Sequence, residues 1–189
     1  MLLKTTFLFA CCMMASCLIS CFVDCNPVPL YFEITGLTSY NQKETSILSE
    51  GEPVLWEDFS IIFSFEAHYI SEVRSNNGGM LMATSCKDHG QNGDRIGVDT
   101  LFVKTINDYN ESYPAGLDIH DLIRIQLANG YSPMSAYLNE NAEGVTTQYF
   151  QLKLSEPPAG DTEFAMEMTY RLNNGEEFTH ITQLADLRD

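Results

Sequence analysis

The stretch Phe164–Leu184, FAMEMTYRLNNGEEFTHITQL, decides the fold class. Phe164, Met166, Met168, Tyr170 and Leu172 alternate with Ala165, Glu167, Thr169 and Arg171, and a period of two belongs to a strand with one buried face. Asn173-Asn174-Gly175 follows, a run of residues that tolerate positive φ, and EEFTHITQL then returns as an antiparallel partner. The spacing brings Phe178 back against the apolar side of the ribbon.

Working outward, the same period recurs. In SIIFSFEAHY, residues 60–69, Ile61, Phe63, Phe65, Ala67 and Tyr69 share one side and Ile62, Ser64, Glu66 and His68 the other. TTQYFQLKL, residues 146–154, sets Phe150, Leu152 and Leu154 together, and LYFEITGL, residues 30–37, opens the series. Two short segments have helical features. Asp118 is placed to cap IHDLIRIQL, which reads equally well as a strand ending in IRIQL, and Ser132-Pro133 has a cap-then-proline start for MSAYLNEN. There is no internal repeat or low-complexity run. Many short strands with frequent turn signals predict a mostly β fold: an antiparallel β-sandwich, Ig-like or transthyretin-like, with one or two short helices.

The N-terminus is of another kind. Lys4 precedes the apolar run Phe7–Ser20, which has the length and polarity of a secretory signal peptide and is short for a membrane span of about 20 residues. Leu18-Ile19-Ser20-Cys21 resembles the lipobox of bacterial lipoprotein precursors, and Met14-Ala15-Ser16-Cys17 is a poorer copy with Met in the leucine position. The resemblance implies cleavage before Cys21 and acylation of its sulfur and new amino group. Each buried methylene contributes about 0.8 kcal/mol, so several chains anchor stably where one holds marginally. The expected organisation is a signal peptide over 1–20, a lipidated tether over 21–29 and one domain over 30–189. Cleavage removes Cys11, Cys12 and Cys17, and lipidation takes Cys21. Cys25 and Cys86 remain, either as a disulfide, expected to contribute about 4 kcal/mol on closing so long a loop, or as two free thiols.

The formal charge is −16, and the leader contributes one lysine and no acid, so the mature chain is more acidic still. Such a surface repels nucleic acid and anionic lipid headgroups, leaving attachment to the anchor. Asp24 is the single acid between Cys21 and Pro29, unlike the acidic run of surface-exported Bacteroides lipoproteins, so the periplasmic and outer faces both stay open.

Few patterns suggest chemistry. Asp88, Asn92, Asp94 and Asp99 fall at calcium-loop positions, with Gly93 at the turn, but Gly90 occupies a ligand position and flanking helices are lacking. Cys86 and His89 have a Cys-x-x-His spacing without the further ligands that zinc requires. There is no Gly-x-Ser-x-Gly, no carboxylate pair singled out by spacing, and Asn77-Gly78-Gly79 lacks the lysine of a phosphate loop. Trp56, Tyr109, Tyr113 and Tyr131 offer either sugar-stacking aromatics or, for Trp56 especially, core. Asp99-Thr100-Leu101 resembles the O-glycosylation tripeptide of Bacteroides envelope proteins, against the plainer reading of a threonine buried in a strand.

Asp94–Ile106, Asp108-Tyr109-Asn110 and Pro114-Ala115-Gly116 with Asp118 together resemble a segment of a Bacteroides-type envelope lipoprotein family, a domain of unknown function. The resemblance implies a β-rich envelope protein. The expectation is a non-catalytic, lipid-anchored binding or scaffolding module of the cell envelope, at the outer membrane. It is expected to use no cofactor or metal and to have an envelope protein or glycan as partner. A pilus- or adhesin-type subunit is the structural alternative and a small hydrolase the enzymatic one. The first needs an open strand edge, the second a cleft with carboxylates or a perturbed histidine.

Overall fold

The computed structural model describes residues 28–70 and 88–189. In chain order the strands are β1 (Tyr31–Lys43), β2 (Ser46–Ile47), β3 (Pro53–Leu55), β4 (Phe59–Ile70), β5 (Val98–Thr105), β6 (Ile123–Leu127) and β7 (Gly130–Pro133). The helix α1 (Met134–Glu140) follows, then β8 (Tyr149–Leu154), β9 (Thr162–Phe164), β10 (Met166–Leu172), β11 (Glu177–Ile181) and β12 (Ala185–Arg188). Three sheets form: six strands ordered β2-β1-β4-β8-β6-β7, three ordered β11-β10-β5, and three ordered β3-β12-β9. The fold is mostly β, with antiparallel sheets that do not close into a barrel, consistent with a β-sandwich. One pair departs from the expected antiparallel rule: β12 runs parallel to β3.

The hairpin forms as its sequence requires. Tyr170 pairs with Phe178 and Met168 with His180, and Gly175 turns the chain at φ 88°. Phe164, Met166, Met168, Tyr170 and Leu172 are all buried, although Ala165 separates β9 from β10, which belong to different sheets. The inward side of β10 packs on the long sheet: the rings of Phe65 and Tyr170 lie 4.9 Å apart, edge to face, and those of Phe63 and Phe150 stack at 5.4 Å. Phe164 continues the core between Phe59 and Tyr109.

β1 shows why its alternation is imperfect. Phe32 and Ile34 are buried, then Leu37 and Asn41, so parity changes from even to odd. A bulge between Ile34 and Gly36 in the pairing with β4 accounts for the change. A Cβ on Gly36 would sit 2.5 Å from the Glu66 carboxylate, which favours glycine at the bulge.

Of the two segments with helical features, one is a helix and one a strand. IRIQL is part of β6, its Ile123 and Ile125 fully buried, and Asp118 instead accepts a bond from the His120 amide at 2.8 Å, shaping a turn. Tertiary context decides this, because β6 completes the six-stranded sheet between β8 and β7. α1 begins at Met134 with Pro133 preceding it, and no side chain caps it. Its Tyr137 enters the core, where its hydroxyl lies 3.2 Å from that of Tyr170. Burial raises the pKa of both phenols, so both stay protonated.

Candidate binding face

Cys21, Cys25 and Cys86 lie outside the described residues, as does Asn77-Gly78-Gly79. Asp94 is 3% exposed, and both of its oxygens are engaged by main chain: Oδ2 accepts from Ile34 N at 2.9 Å and Oδ1 from Ile96 N at 2.7 Å. It is a clamp that fastens the loop before β5 onto β1. Asp88, Asn92 and Asp99 are exposed, and no group of three or more potential ligands is arranged for a metal among the described residues.

The Asp108-Tyr109-Asn110 element is likewise architectural. Tyr109, a candidate sugar-stacking aromatic by sequence, is instead core at 1% exposed, and its hydroxyl donates to Glu156 O at 2.6 Å. Its ring packs on Phe164, which is the reason for its burial. Asn110 Oδ1 accepts from the amides of Ser112 and Tyr113, and Asp108 Oδ1 from that of Ala115. These bonds hold the loop closed. Thr100 is half-buried on β5, and Trp56 is half-buried between β3 and β4.

One pairing has the outline of a nucleophile and base: Ser39 Oγ lies 2.9 Å from His180 Nε2. Both residues project between the sheets, and the His180 ring stands edge-on to Phe63. Burial lowers the His180 pKa below its ordinary value, with Glu66 pulling the other way. Neither residue lines any of the three described clefts. The pair works as a clasp between β1 and β11. The largest described cleft, about 470 Å³, lies along the third sheet and is lined by Glu50, Asp161, Glu163, Asp186 and Arg188 among others. Arg188 bridges Asp161 and Asp186 there, and these two carboxylates raise its pKa. Its charge is committed within the fold.

A different arrangement covers the outer side of the six-stranded sheet, the side away from the aromatic core. Directly paired residues of an antiparallel sheet share a face, so register identifies its members. Tyr131 pairs with Gln126, Gln151 with Ile62, and Ile62 with Tyr40, while the Ile125–Leu152 pairing carries Gln126 beside Gln151. One row, Tyr131-Gln126-Gln151-Ile62-Tyr40, therefore crosses five strands. On one side lies Tyr149-Ser64-Thr38, and on the other Pro133-Arg124-Lys153 and Ser60-Gln42.

The middle of this surface is organised before anything binds. Gln151 Nε2 donates to Ser60 Oγ at 2.9 Å and lies 3.3 Å from Gln42 Oε1, burying Ser60 completely. That network leaves Gln151 Oε1 and Gln42 Nε2 outside it, one acceptor and one donor. Tyr149 is 63% exposed and Tyr131 40%. Arg124 donates to the carbonyls of Asp121 and Ile123, Lys153 to that of Glu57, and the Lys153 ammonium lies 5.6 Å from the centre of the Tyr131 ring. None of these positions is a carboxylate; the nearest on the same side are Glu66, two residues beyond Ser64 on β4, and Glu33, paired with His68.

Sequence reading singled out Tyr131 but missed Tyr40, Tyr149, Gln42, Gln126 and Gln151. The polar half of each strand's alternation was the available signal, and it lacked the strand order needed to assemble it. Among known proteins, no family model, curated protein or solved structure matches the chain.

Proposed function

We propose that this chain is a lipid-anchored, non-catalytic module of the bacterial cell envelope that binds its partner through the outer side of the six-stranded sheet. The carrying observation is the row of tyrosines and glutamines laid out without a charged side chain in a chain of formal charge −16. The Ser39–His180 pair has a structural task as a clasp, which weakens the hydrolase alternative. For a pilus-type subunit, strand addition would need a long open edge. Among the described residues β7 has only four residues, and the outer edge of β1 is taken at its two ends, by β2 at Gln42 and Lys43 and by bonds to Gly93 and Asp94 at Phe32 and Ile34, so its middle is the one stretch of the long sheet that could accept a strand. The resemblance of Leu18-Ile19-Ser20-Cys21 to a lipobox supports the anchor.

Two measurements test the two halves of this reading. Cys21→Ala is expected to abolish palmitate labelling and release the protein from membranes, and label persisting in the variant would overturn the anchor. Tyrosine iodination, read by peptide mass spectrometry, compares cells with purified protein. Tyr131 and Tyr149 are expected to be protected in cells relative to the 38%-exposed Tyr69, and equal labelling of all three in both states would overturn the face.

A further inference from the structure

We infer that the ligand of this face is an uncharged, linear oligosaccharide lying along the row Tyr131-Gln126-Gln151-Ile62-Tyr40, an assignment that rests on the outer side of the sheet being the binding surface. The row spans four inter-strand spacings, roughly 19 Å, and one spacing is about the advance of one pyranose ring along an extended chain, giving room for about four rings.

The side chains match that chemistry. A pyranose presents an apolar C–H side and a rim of hydroxyls that each donate and accept. Tyrosine offers an apolar ring with a polar tip, and Tyr131 stands at one end of the row, Tyr149 beside its middle and Tyr40 at the other end. Gln126 is exposed, while Gln151 and Gln42 are held by Ser60 and retain one acceptor and one donor outside that network, fitting hydroxyl partners. Holding these amides in place before binding lowers the ordering cost of recognition.

Charge separates this ligand from its competitors. The row itself contains no acid or base, and the nearest cation, the Lys153 ammonium, lies 5.6 Å from the centre of the Tyr131 ring at its end. Arg124 and Lys153 occupy the neighbouring row and already donate to main-chain carbonyls. A protein partner of ordinary interface size would call for a larger apolar centre with aromatic anchors set in pockets. Here the centre is amide, with Ile62 only 7% exposed beneath it.

The test uses the mature full-length protein in titration calorimetry against three hexasaccharide probes: β-1,4-linked glucose, β-1,4-linked N-acetylglucosamine and, as the anionic control, α-1,4-linked galacturonate. Tyr131→Ala, Tyr149→Ala and Gln126→Ala replace exposed residues, and unchanged urea midpoints verify their folding. The expected result is saturable binding of a neutral chain at both low and high salt, weakened about tenfold or more by Tyr131→Ala and measurably by Gln126→Ala. Binding of galacturonate alone, lost in salt, would overturn the uncharged class. Neutral-chain binding untouched by all three variants would overturn the site. If no probe binds while Tyr131 and Tyr149 stay protected in cells, the glycan assignment falls and the binding face stands. If neither binding nor protection occurs, both fall.

Discussion

Replacing Met168 by alanine probes the register on which the sandwich rests. Met168 is fully buried, paired with Val103 of β5 on one side and His180 of β11 on the other, with its side chain facing the long sheet. Truncation removes one methylene, the sulfur and the terminal methyl from a site walled on both flanks by strands, where collapse into the void is limited. Met-to-Ala changes in such sites cost about 2–5 kcal/mol, against a total of about 5–15 kcal/mol for a domain. A loss of about 3 kcal/mol would lower the melting midpoint by roughly 6–12 °C for a domain of this length. The paired control is Glu167→Ala, one residue away. Glu167 lies on the opposite side of β10, half-buried, between Lys104 and Ile181. A cross-strand pair there is worth about 0.2–1 kcal/mol. Urea titration of both variants, fitted with a shared slope, should separate them by about 2 kcal/mol or more. Equal losses would refute the register, because a one-residue slip exchanges the two faces.

Asp94→Ala removes the acceptor of two main-chain amides and should cost about 2–4 kcal/mol by urea melt; a loss under about 1 kcal/mol would refute the clamp. For His180, burial lowers the folded-state pKa below the unfolded value, so the unfolded chain binds the proton first and stability falls as pH drops through the ordinary histidine range toward the folded value. The urea midpoint should therefore decrease from about pH 7.5 to about pH 5.5, less so in His180→Gln, and identical slopes in the two proteins would refute the desolvated clasp. Cys25 and Cys86, if joined after cleavage of residues 1–20, should resist alkylation in the mature protein until reduced, and intact mass showing two alkylated thiols without reductant would exclude the pairing.

Local alternation was enough to find β4, β8 and the β10–β11 hairpin with their buried faces, because side-chain direction in a strand has period two whatever the partner. It was also enough to suggest a leader and a lipidation cysteine, since those signals are short and contiguous. Long-range pairing decided the rest. IRIQL has the composition of either element and became β6 only because the sheet between β8 and β7 takes it as a strand. Tyr109 sits among polar neighbours in sequence, and its burial follows from Phe164 meeting it 55 residues away. The bulge at Gly36, the parallel β3–β12 pair and the Asp94 clamp each depend on contacts between distant segments. The row of tyrosines and glutamines is the clearest case. Its members come from five strands, one residue from each, and single residues carry no periodic signal. They became a surface only when strand order and register set them side by side.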